Sequence, residues 1–277
     1  MKTDLDALLI ALYVHLDDYV PPTRRRGPGR PRLLTDTELI CIAIAQVLLR
    51  CDDERRWLRV APARIGHLFP RLPSQSGYNR HLRALGPLMS QAAPGLARQI
   101  PTWHDRLRLM DGTPIRCGAS RVTVDRSLLG EIAAYGRDIC HHAFYRGAKL
   151  MLTTTEGTVT AFSLANPKEP GRTQTSLPPA ACAPHRRRPR PMVCDKGFAG
   201  AGIEKAAADL GHLLIRPQRE DEPTPAVKVF PSRLHQRIEA IIWTLKNQLG
   251  LERHNARTTD SLWARISQRI LALNTAI

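Results

Sequence analysis

Three acids stand in apolar surroundings that composition alone does not call for. Met192-Val193-Cys194 is a short apolar run that ends in Asp195, and Lys196-Gly197 stops it. Leu107-Arg108-Leu109-Met110 runs in the same way into Asp111, with Gly112-Thr113-Pro114 behind it. Glu239 lies in the otherwise apolar stretch Ile238-Glu239-Ala240-Ile241-Ile242. A strand that ends in a carboxylate, with Gly close behind, exposes an acid at the carboxyl edge of a sheet. Two carboxylates a few Å apart repel and ionise together only with a cation between them. Mg²⁺ (or Mn²⁺) suits such a pair, because it takes hard oxygen ligands and keeps room for phosphate and water. Two such ions ~3.5–4 Å apart serve the attacking and leaving oxygens of an in-line phosphodiester displacement.

Each acid also has a plainer reading. Asp-Gly and Asp-Lys-Gly are ordinary turn sequences after strands, and Glu239 fits a solvated helix face. Against this, Ile238, Ile242, Leu245 and Leu249 form an apolar stripe with Glu239 at its margin. A carboxylate there is costly without a partner. Lys246 follows two turns later on the same face.

The elements that must position these acids follow from the pattern. Leu5, Leu8, Leu9, Leu12 and Leu16 predict a first helix that stops before Pro21-Pro22. Thr35-x-x-Glu38 is a capping box opening a helix through Leu49. Residues 54–100 read as short helices broken at Pro62, Pro70, Pro73, Pro87 and Pro94. A helix at 63–69 followed by one opening at Ser76, with Arg80 and Arg83 exposed, is compatible with a helix-turn-helix and equally with a bundle whose outer face is basic. Beyond residue 103 the period changes. Strands are expected at 107–115, 148–155, 158–165, 192–194 and 212–216, with Glu156-Gly157 as a hairpin turn. Helices are expected at about 200–210, 232–249 and 259 to the end. Residues 167–191 carry seven prolines and the block His185-Arg186-Arg187-Arg188, and are expected to be irregular.

The 277-residue chain carries 41 basic against 25 acidic residues, a net charge of +16. Of the basic residues 34 are Arg, and nucleic acid is the expected partner. Arg24, Arg25, Arg26, Arg30 and Arg32 lie on a Gly/Pro backbone that suits an extended arm in a minor groove, or a solvated linker. No apolar run reaches the ~20 residues of a membrane span, and six Cys without a C-x-x-C pair fit reduced cytoplasmic thiols.

Strand with Asp111, hairpin, strand with Asp195, helix, strand, helix with Glu239: this is the element order of an RNase H-like α/β domain. The fold class expected is therefore α/β, a mixed-sheet RNase H-like domain at 101–277 preceded by an all-helical DNA-binding region at 1–100. Asp111-Gly112-Thr113-Pro114, Ala165-Asn166-Pro167-Lys168, Asp195-Lys196-Gly197-Phe198-Ala199-Gly200 and Ile238-Glu239 through Leu245-Lys246-x-Gln248-Leu249 together resemble bacterial insertion-sequence transposases of the DDE type. The likeness is greatest to the family numbered nine-eighty-two, and it extends to Leu251-Glu252-Arg253-His254-x-x-Arg257-Thr258. The resemblance implies Asp111, Asp195 and Glu239 as a catalytic, Mg²⁺-binding triad. It also implies cleavage of element ends, strand transfer into target DNA, a homodimer on double-stranded DNA, and a cytoplasmic, nucleoid-associated protein without a membrane. Lys196, Lys246, Arg253 and Arg257 are the expected phosphate contacts. Ser232 and His235 stand where the signature of many relatives has Tyr and Arg. The alternatives are a non-catalytic DNA-binding protein and a metal-dependent nuclease.

Overall fold

The computed structural model describes residues 4–19, 33–118, 128–130, 132–138, 143–168, 189–218 and 232–277. The arginine arm (Arg24, Arg25, Arg26, Arg30, Arg32) and positions 169–188 of the proline-rich stretch lie outside the described residues. The chain divides into two compact units, one of Met1–Leu96 with Leu245–Ile277, the other of Ala97–Thr244.

The first unit is helical. Its helices are α1 (Leu5–Tyr19), α2 (Asp36–Leu48), α3 (Glu54–Ile65), α4 (Gln75–Ala84) and α5 (Gly86–Ala97). The capping box forms as read: Thr35 accepts from the Glu38 N–H, and Glu38 accepts from the Thr35 N–H. Ten residues of α2 are buried, so it is the central rod of the unit. Pro62 and Pro94 lie inside α3 and α5 and do not break them. Each proline forgoes one backbone bond, but buried Trp57, Ala61 and Ile65, and Met89, Ala92 and Ala93, hold the helices in place. The helix read at 63–69 lies earlier in the chain: α3 ends at Ile65, and a turn and an extended stretch lead to α4 at Gln75.

The last helix (Thr259–Thr275) packs on α2 and α4. Its polar side chains make that packing specific. Gln268 donates to the Ala43 carbonyl at 2.7 Å, Asn274 donates to the Ala93 carbonyl at 3.0 Å, and Arg265 pairs with Glu54.

The second unit is a mixed sheet with helices. Its strands are β1 (Arg108–Gly118), β2 (Ala134–Asp138), β3 (Ala143–Thr154), β4 (Val159–Ala165), β5 (Arg190–Cys194) and β6 (His212–Ile215). β1 and β3 pair antiparallel, β4 and the unexpected β2 both pair with β3, and β5 and β6 continue the sheet parallel to β1. Arg190 and Pro191 belong to β5, which is therefore longer than the three residues read from the sequence. Gly147 on β3 sits opposite the bulge of β1, and a Cβ there would lie 1.8 Å from the Ile115 carbonyl oxygen. Only glycine permits that close strand approach.

The pleat sorts side chains to two faces. Met110, Met151, Met192 and Cys194 share one face and are covered by Ile203, Ala206 and Ala207 of α6 (Ala201–Asp209). Asp111 and Leu109, with Leu152 and Val193, belong to the other face, against which α7 (Ser232–Trp243) packs. The helix at Thr259–Thr275 is α8.

At the start of β6, His212 is half-buried near Arg108 and Arg190, and its pKa is pushed down to about 4, first by burial and then by those charges. Folding thus favours the neutral ring, while the unfolded chain takes up a proton near pH 6.5. The contribution is complete above about pH 6.5 and is lost as pH falls toward 4. In urea unfolding at pH 7.5 and 4.5, His212→Gln is expected to show a smaller acid-side loss of midpoint than the wild type. Equal losses would show that the ring is protonated in the folded state.

Candidate active site

Asp111 and Asp195 meet because their strands do. β1 and β5 run parallel with Met110 paired to Cys194, and each Asp is the next residue in its strand direction. Neighbouring strands lie about 4.8 Å apart, so the two carboxylates emerge side by side on the face that α7 covers. Each is pinned by its own following amide. Gly112 N–H donates to Asp111 Oδ1 at 2.7 Å, and Lys196 N–H donates to Asp195 Oδ1 at 2.7 Å. Asp195 then opens a 3₁₀ turn at Lys196–Phe198, whose Phe198 is buried beneath α6.

The two acids differ in setting. Asp195 is exposed and Asp111 half-buried. The Asp111 pKa is raised, above all by burial. The Gly112 N–H and the charge of His235 act in the opposite direction, the negative charge of Asp195 raises it further, and Lys149 lowers it. The pair therefore carries like charge at close range, and a cation between the carboxylates would relieve it. Hard oxygen donors at a strand edge, one of them open to solvent, fit Mg²⁺ or Mn²⁺.

Glu239 differs from expectation. Ile238, Ile241 and Leu245 make the buried stripe, and the Glu239 side chain is 59% exposed, 3.8 Å from His235 Nε2. Exposure removes the burial cost that singled Glu239 out in the sequence. Among the described residues, no three His, Cys, Asp or Glu side chains stand close enough to hold a metal together. The residue of α7 whose charge Asp111 feels is His235, one turn before Glu239 and only 16% exposed. In the sequence His235 stands out only as a mismatch to the family signature, four residues before Glu239. Lys149 had no signal, being one cation in an apolar strand; it also lies over the Phe198 ring at 5.8 Å.

The expected DNA-contacting residues outside the arm fall in two groups. Lys196, Arg80, Arg83 and Arg257 are exposed. Lys246 pairs with Glu252 at 3.1 Å, and Arg253 with Asp52 at 2.8 Å. Residues 244–248 form a π turn, which interrupts the α-helical phase that placed Lys246 on the face of Glu239. No described helix is long and apolar enough to cross a membrane.

The family model described as "Transposase DDE domain" matches residues 102–275. No curated protein and no solved structure matches the chain.

Proposed function

Since the chain belongs to the DDE transposase family, we propose that it cuts DNA at the ends of an insertion sequence and joins them to target DNA in a Mg²⁺-dependent reaction. The observation that carries this reading is the side-by-side emergence of Asp111 and Asp195 from parallel strands inside the matched domain. Asp111 and Asp195 would hold the metal, and Glu239, which now pairs with His235, would be its third ligand. The bound metal supplies charge stabilisation and an activated oxygen nucleophile. The half-buried Asp111 fixes the site against the sheet, and the exposed Asp195 leaves it open to a phosphate. Lys196, beside Asp195, neutralises the scissile phosphate. The attacking oxygen is water in cleavage and a DNA 3′-hydroxyl in joining, so one site serves both steps.

In this reading Arg80 and Arg83 on α4, together with the arm at 24–32 and with Lys246, Arg253 and Arg257, grip double-stranded DNA. Two copies pair two ends, and the protein works in the cytoplasm on the nucleoid. The finer kinship is with the family numbered nine-eighty-two.

The test is a duplex carrying the inverted repeat that flanks the gene, incubated with the protein, Mg²⁺ and a target plasmid. The expected products are cleaved ends with 3′-hydroxyls, and then joint molecules. Binding without cleavage in Mg²⁺ or Mn²⁺ would make this a non-catalytic DNA-binding protein. Cleavage without joining would make it a nuclease.

A further inference from the structure

Strands β2 and β3 carry a second feature, well away from the carboxylates. Tyr135 pairs with Arg146 and Arg137 with Phe144. Residues paired across antiparallel strands point to the same face, so these four side chains form one patch of two aromatics and two arginines. Phe144 is 79% exposed and Tyr135 55%. The intervening Tyr145 points to the opposite face and is buried. The Arg146 guanidinium lies over the Tyr135 ring at 5.9 Å.

Sequence periodicity does not explain the exposed rings. A large exposed aromatic forgoes the burial that normally keeps it in a core. The patch is also unlike an apolar docking surface, because guanidinium groups separate its rings and leave no continuous apolar area. Rings on a sheet surface with arginines between them are what unpaired nucleotides require: a π-face for each base and a cation for each phosphate.

The patch also has a defined place relative to the acids. Asp111 pairs with Leu152, and Phe144 is eight residues from Leu152 along β3, about 27 Å of strand. Leu152, Leu150, Ala148, Arg146 and Phe144 alternate onto one face, the face of Asp111. Its buried part lies toward Asp111, and its open end is the patch.

We propose that Tyr135, Arg137, Phe144 and Arg146 form a stacking site for single-stranded DNA, on the same sheet face as the carboxylates and separate from them. The inference rests on the reading that this chain works on DNA. It adds that the protein holds unpaired bases, as an opened duplex end would supply.

The test is binding of a labelled oligothymidylate, and of a duplex of the same length, to the full chain without metal at physiological salt. Phe144→Ala is expected to weaken single-strand binding by about 5- to 100-fold and to leave duplex binding within about twofold. Phe144→Trp is expected to restore it. A fluorescent base analogue in the oligonucleotide is expected to be quenched by the wild type and not by Phe144→Ala. Unchanged single-strand binding by Phe144→Ala, with duplex binding intact, overturns the stacking site alone. A wild type that binds neither DNA overturns the DNA reading with it. A Phe144→Ala protein that instead changes from dimer to monomer in sedimentation assigns the patch to a contact between copies and overturns the proposal.

Discussion

Asp195→Asn is expected to abolish DNA cleavage and joining while leaving DNA binding at moderate salt intact, and Asp111→Asn to do the same. An amide keeps the shape of the carboxylate and the hydrogen bond from the following N–H, but it loses the charge that holds a metal. Metal stabilisation of a transferring phosphoryl group is worth several kcal/mol, and about 4 kcal/mol is roughly a thousandfold in rate. The two effects should not add, since each substitution disables the same shared site. Glu239→Gln discriminates further. It should fall as far as the Asp variants if Glu239 turns in during the reaction, and far less if its exposed position is its working one. Wild-type nicking by either Asp variant would remove both residues from the reaction.

Arg265→Met is expected to cost about 3–5 kcal/mol of stability, although it lies on the last helix. The Arg265 and Glu54 side chains are only 11% and 12% exposed, and Glu54 also accepts from the Asn79 side chain. Burial, and the nearby Arg269, push the Arg265 guanidinium down to about 9, which still leaves it charged at neutral pH. Removing it strands a buried carboxylate. Glu54→Leu with Arg265→Met should recover much of the loss, because two well-packed apolar side chains avoid the desolvation of an ion pair. A urea-unfolding double-mutant cycle reads the coupling. A loss below about 1 kcal/mol for Arg265→Met alone would mean that the pair contributes no more than a surface bridge.

The position of Asp195 was legible because a short apolar run, an acid and a Gly carry strand end and turn in a few letters. Asp111 instead lies inside β1, which runs on through Gly112 to Gly118 because β3 pairs with it all along. The capping box at Thr35 and the turn at Glu156-Gly157 were legible for the same local reason, and Gly157 has the positive φ of +110° that the turn requires. Strand β2 was not. Ala134-Tyr135-Gly136-Arg137-Asp138 has no apolar alternation, because its Tyr faces solvent, and it forms by pairing with the long edge that β3 offers. The place of α8 was equally hidden. Its amphipathic pattern shows that one face is buried, but not that α2 and α4 bury it. Glu239 shows the limit of periodicity. The stripe placed it at a margin, and a margin residue is exposed as readily as buried. His235, by contrast, gained its interest only when the sheet brought Asp111 near α7.

The most direct measurement is Mn²⁺ binding to the full chain without DNA, followed by electron paramagnetic resonance or calorimetry, for the wild type, Asp111→Asn, Asp195→Asn and the double variant. If the parallel strands β1 and β5 bring two carboxylates to one cation, the wild type binds Mn²⁺ at this site. Each single substitution then reduces that binding at least tenfold, and the double variant is no worse than either. Mn²⁺ binding of equal strength in all four proteins would contradict the shared metal site on which the functional account stands.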